Sequence, residues 1–191
     1  MKGVIFTEFL DFVETRSGYE TVDAILEKAA PASGGAYTAV GNYHFSELVA
    51  LLTALSQITG TPLPELLGAY GRHLFGRFVC LYPAFFETMH DPFEFLENVE
   101  GRIHVDVLKL YPEAELPQLH TKRIDEDRLR IRYRSCRPLG QLCIGLIEGC
   151  GDHFNVEFEI RSSQVPDGLD ITVRRCGTAP SGRPREAASL S

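Results

Sequence analysis

The segment Tyr133-Arg134-Ser135-Cys136-Arg137 holds the side chains with the most definite chemistry. It continues the alternating run Arg128-Leu129-Arg130-Ile131-Arg132, which predicts a β-strand with one buried face. Carried through the motif, a strand's period of two sends Tyr133, Ser135 and Arg137 to one side. Two hydroxyls and a planar guanidinium then meet on one patch. The guest that suits them is a carboxylate, because arginine binds it bidentately and hydroxyls fill its remaining lone pairs. A strand face that alternates polar residues only for solubility has the same pattern, so the patch alone leaves both readings open.

Upstream, His104 lies in Val99-Glu100-Gly101-Arg102-Ile103-His104-Val105-Asp106-Val107-Leu108, a helical stretch with Val107, Leu108 and Tyr111 on the histidine's own face. A lone histidine on an apolar face is more often a satisfied core residue than a ligand. Gly101, one turn earlier, shifts that balance. Glycine inside a helix costs about 1 kcal/mol relative to alanine. Close approach of a flat ring would explain that cost, and so would a kink. An imidazole for iron, together with charge-paired donors for two propionates, is what haem requires.

The remaining candidates are weaker. His44, His73, His90, His120 and His153 form no i, i+4 pair with another His or Cys, and no Cys-x-x-Cys occurs, so zinc has little support. The five cysteines have no regular spacing and imply reduced thiols. Cys143, Cys150 and Cys176 read as small buried hydrophobes.

These residues need elements to hold them. Up to residue 112, apolar positions recur at three- and four-residue steps in Val4 to Val13, Val22 to Leu26, Leu48 to Leu55 and Leu66 to Phe78, so this part is expected to be all helical. A further helix is expected from Phe93 to Leu110. After Pro112 and Pro117 the strand of the motif follows, then a helix over Leu139 to Phe154. Val156 to Ile160 and Leu169 to Val173 flank Pro166-Asp167-Gly168 and predict a hairpin. Residues 178–191 are rich in Ala, Ser, Pro and Gly without apolar periodicity, which predicts a loose tail.

The 191 residues suffice for one sizeable domain, and the formal charge of −7 disfavours nucleic acid as a partner. Glu8, Asp11 and Glu14 interrupt the first helix, and no run approaches the roughly 18 apolar residues of a membrane span. A soluble cytoplasmic protein without a membrane partner is expected.

In these residues the chain resembles the haem nitric oxide/oxygen-binding (H-NOX) family, whose relatives include the haem domain of soluble guanylate cyclase. The resemblance spans roughly residues 1–176. It rests on the opening Met1-Lys2-Gly3-Val4-Ile5-Phe6, on His104 followed by Leu116-Pro117, on Tyr-x-Ser-x-Arg at Tyr133, Ser135 and Arg137, and on Gly145-Leu146-Ile147-Glu148-Gly149. It implies an α+β fold over 1–177, with a helical distal subdomain at 1–64 and a proximal subdomain of helices and antiparallel sheet at 65–177.

The resemblance further implies a b-type haem with His104 as proximal axial ligand. Tyr133, Ser135 and Arg137 would hold the propionates, and Pro117 would press on the ring. Ile5, Phe9, Leu74, Phe78, Leu142 and Leu146 would line the pocket. Oxygen-binding relatives carry a tyrosine donor where this chain has Leu142, so the resemblance favours nitric oxide and carbon monoxide over oxygen. Nitric oxide would weaken the bond to His104, and the signal would pass to a separate effector such as a histidine kinase or a cyclic-di-GMP enzyme. No catalysis is expected of the chain itself. Some relatives hold a structural zinc, but the position of its first cysteine is Gly140 here, so that site is not carried over. A haem-based oxygen or redox sensor and a haem-free interaction module are the competing readings.

Overall fold

Phe6, Phe9, Phe12 and Val13 recur along one face of the first helix, α1 (Val4–Ser17), and all four are buried. Gly18, at φ +83°, ends it and lets the chain turn into α2 (Tyr19–Ala29). The helices α3 (Phe45–Thr59) and α4 (Leu63–Leu81) follow, α4 with Pro64 in its first turn, where proline's missing N–H costs nothing. This computed structural model describes residues 1–178.

Two apolar cores result. The first joins Phe6, Phe9, Ile25, Leu48 and Leu51 to Leu66, Tyr70 and Leu74 of α4. The second joins Phe75 of α4 to Phe93, Phe95 and the inner face of a four-stranded antiparallel sheet, including Leu129, Ile131, Ile171 and Val173. The strands β1 (Gln118–Arg123), β2 (Arg128–Arg134), β3 (Val156–Val165) and β4 (Gly168–Thr178) lie in the order β1-β2-β4-β3. Between β2 and β3 runs α7 (Gly140–Phe154), which crosses α4 at very short range. A Cβ on Gly145 would lie 2.0 Å from Gly68 O, and one on Gly71 would lie 2.3 Å from Leu142 O. The Gly-Leu-Ile-Glu-Gly run thus has a packing reason: backbone touches backbone there, and only glycine permits it.

The helix expected over Phe93 to Leu110 is broken into three pieces. α5 (Pro92–Asn98), whose first turn is capped by Asp91 accepting from Glu94 N–H at 2.9 Å, leads into a π-helical segment, Val99–His104, and then α6 (Val105–Leu110). Gly101 sits in the widened turn, where no protein atom would lie within 4 Å of a Cβ.

The strand expected to carry the whole motif stops at Arg134. Arg134 pairs with Gln118 at the start of β1 and with Gly168 at the start of β4, so neither neighbour offers a ladder beyond it. The chain turns instead, with Ser135 Oγ accepting Arg137 N–H at 3.1 Å. The hairpin forms as expected around Pro166-Asp167. All five cysteines are free, but burial is uneven: Cys150 is buried, Cys143 half-buried and Cys176 exposed, so Cys176 is not a core residue. Of the expected tail, Thr178 ends β4 and residues 179–191 lie outside the described residues. Among the described residues, no helix is long and apolar enough to cross a membrane.

Candidate functional site

His104 closes the π-helical segment, with its side chain only 15 % exposed. Its Nδ1 lies 3.1 Å from Glu100 Oε2, and the same oxygen accepts Leu119 N–H at 3.0 Å. Burial lowers the imidazole's pKa below its ordinary value, against the opposing pull of Glu100. The ring is therefore neutral at neutral pH. With Nδ1–H donated to the carboxylate, Nε2 keeps its lone pair for a metal.

The motif residues meet at the end of β2, although strand periodicity is not what brings them together. Tyr133 points into the sheet core and is 4 % exposed. Burial raises its pKa, and a hydrogen bond with Ser135 opposes the rise. Ser135 in turn accepts from Arg137 N–H. The Arg137 guanidinium donates through Nη1 to Glu115 O at 3.1 Å and through Nη2 to the Glu115 carboxylate, and lies 5.8 Å from the Phe45 ring centre. One arm of this fork thus already holds a carboxylate, and the other a backbone carbonyl. Pro117 is half-buried in the loop that runs from α6 to β1, one residue before the first β1 residue.

The apolar candidates come from three helices. Ile5 and Phe9 lie on α1, Leu74 and Phe78 on α4, and Leu142 and Leu146 on α7. Phe9, Leu74 and Leu142 belong to the first core, and Ile5, Phe78 and Leu146 pack against it. The nearby hydroxyl of Tyr70 donates to Ile5 O at 2.5 Å and is committed to the backbone. Elsewhere Glu8, Asp11 and His73 come together, but Arg77 Nε donates to Glu8 at 2.5 Å, so a cation already serves that cluster.

An imidazole with one nitrogen bare, a guanidinium and two hydroxyls in one short motif, and apolar side chains from three helices are the groups whose chemistry fits haem. Two members of the surroundings were not legible as such. Glu100 sits four residues before His104, a spacing that puts both on one helical face and could have been used. Glu115 lies in a loop, where no periodicity relates it to Arg137.

Fold and donor set together define a haem-binding gas-sensor domain. The chain belongs to the Haem-NO-binding family, which matches residues 2–162. Among solved structures it is similar to the Fe(II) unliganded H-NOX protein from K. algicida, at 37 % identity over 92 % of this chain and 96 % of that one, with a TM-score of 0.86. The H-NOX from Shewanella woodyi, solved bound to IWP-051 in the Fe(II)CO state, is 34 % identical over 97 % of this chain and 98 % of that one, with a TM-score of 0.80. An H-NOX protein from S. oneidensis in the Fe(II)NO state is 26 % identical over 92 % and 99 %, with a TM-score of 0.85. No curated protein sequence matches.

Proposed function

We propose that this chain senses nitric oxide, and binds carbon monoxide, at a b-type haem held by His104, Tyr133, Ser135 and Arg137. When bound, the haem supplies a ferrous iron with one side open to a diatomic gas. His104 Nε2 would donate to the iron, and Arg137 with the two hydroxyls would receive the propionates. Pro117 would rest against the ring. Ile5, Phe9, Leu74, Phe78, Leu142 and Leu146 exclude water from the open side.

The observation that carries the gas preference is the lack of a free side-chain donor among these wall residues. All six are apolar, and the adjacent Tyr70 hydroxyl is taken by Ile5 O. Bound oxygen carries partial negative charge and gains from a donor, whereas nitric oxide and carbon monoxide bind ferrous haem without one. The S. oneidensis and S. woodyi relatives, solved with NO and CO respectively, support the same ligand class.

In the proposed division into a distal part at 1–64 and a proximal part at 65–177, the second core lies wholly within 65–177, while the first draws on 1–64 together with Leu66, Tyr70, Leu74 and Leu142. The setting is cytoplasmic, where free thiols persist. The resemblance supports output through a separate effector of the histidine-kinase or cyclic-di-GMP class. Absorption spectra of the reduced protein under argon, nitric oxide, carbon monoxide and air test the reading. Nitric oxide and carbon monoxide should each give a distinct complex, and air should give no lasting oxygen complex. A long-lived oxygen spectrum would replace this reading with an oxygen sensor, and the absence of a Soret band after haem reconstitution would end the haem assignment.

A further inference from the structure

Glu100 touches the imidazole and the sheet with a single oxygen. Its Oε2 accepts from His104 Nδ1 at 3.1 Å and from Leu119 N–H at 3.0 Å. Leu119 lies two residues beyond Pro117 and pairs across the ladder with Tyr133. The carboxylate is therefore anchored by β1, and it fixes the ring of His104 from a second element rather than from its own helix alone. The π-helical turn that carries both residues sets them four apart, with His104 well covered and Glu100 43 % exposed.

We infer that Glu100 is a positioning residue: it sets the tautomer, the ring orientation and the donor strength of His104 toward haem iron. The inference rests on His104 being the axial ligand, as proposed above. A carboxylate that accepts Nδ1–H leaves the lone pair on Nε2 and makes the ring a stronger base. A stronger donor stabilises ferric over ferrous iron and stiffens the bond from iron to histidine. Glu100 thereby sets how readily gas binding on the opposite side releases His104.

The test uses the haem-loaded protein, with Glu100→Gln and Glu100→Ala beside wild type. Gln keeps the size and an acceptor oxygen but removes the charge. Two readouts respond to donor strength and not to folding: the iron–histidine stretching band in the resonance Raman spectrum and the ferric/ferrous midpoint potential. Both variants should lower the stretching frequency. The preference for ferric haem should fall about tenfold, which is about 59 mV upward for a one-electron couple, with Gln between wild type and Ala. Unchanged band and potential in both haem-loaded variants would overturn the inference. His104→Gly separates this failure from a failure of the site. If that variant keeps a wild-type ferrous spectrum without added imidazole, the axial assignment is wrong. If it loses haem, or holds it only with imidazole, the axial assignment stands and Glu100 alone is on trial.

Discussion

Arg137 has two carboxylate claims on one guanidinium. Glu115 holds Nη1 through its backbone carbonyl and Nη2 through its carboxylate, and because that side chain is 70 % exposed it leaves Nη2 at little cost in burial. In the proposed site a haem propionate would offer the same chemistry to a side chain only 14 % exposed, where charge-assisted bonds count for more. Arg137→Ala should therefore speed haem loss more than Ser135→Ala, because a charge-assisted bidentate contact is worth about twice a neutral hydrogen bond. Transfer of haem to excess apomyoglobin gives the rates. Equal rates for wild type and Arg137→Ala would leave the cluster without a propionate. The residue types of this site were legible in the sequence, since Tyr, Ser and Arg carry their donor chemistry with them. Their geometry was not. Ser135 and Arg137 lie past the end of β2, and a turn closed by Ser135 Oγ does the converging that strand alternation was expected to do.

Among the elements, the amphipathic helices α1 to α4, α7 and the β3–β4 hairpin could be read, because each repeats its buried positions at its own period. β1 could not. Gln118–Arg123 turns only Leu119 and Thr121 inward, and as an edge strand beside Pro117 it gains its structure from pairing with β2. The π-helical segment was hidden for a related reason, since one extra residue in a turn barely disturbs a short helical pattern. The α4–α7 crossing was visible only as a run of glycines whose purpose is tertiary. Gly145→Ala should test that purpose. Its Cβ would meet Gly68 O at 2.0 Å, and a backbone carbonyl inside a helix cannot swing aside, so the helices must part. Overpacking of this kind costs about 1 to 3 kcal/mol. Gly76→Ala on the exposed side of α4 is the control: nothing lies within 4 Å of its Cβ, and the helix gains up to about 1 kcal/mol from alanine. Urea denaturation should show the two substitutions moving stability in opposite directions, and shifts of the same sign would refute the close-crossing argument.

At the scale of the whole molecule, buried and partly buried ionisable groups flank both cores and make the fold sensitive to acid. Burial alone would raise the pKa of Glu47, but hydrogen bonds from Ser33 Oγ at 2.5 Å and Tyr37 OH at 3.0 Å hold it below its ordinary value of 4.5. Asp91 is likewise lowered. Its burial is outweighed by Glu94 N–H and by Arg175, which donates at 2.6 Å and ties α5 to β4. Burial lowers His73 below 6.5, with Asp11 in partial opposition. A group whose folded pKa is depressed contributes stability that is complete above its unfolded pKa and is lost as pH falls through its folded pKa. The sign is the same for the partly buried histidine, which must charge on acidification, and for the two carboxylates, which must become neutral. Thermal midpoints should accordingly decline slightly as pH drops below 6.5 and steeply below 4.5. Glu47→Gln separates the contributions. It should cost about 1 to 3 kcal/mol at pH 7, where a charged acceptor is replaced by a neutral one. It should also flatten the acid limb, because Gln has no proton to gain. A variant with the wild-type slope below pH 4.5 would show that Glu47 does not drive the acid transition, leaving it to other carboxylates such as Asp91.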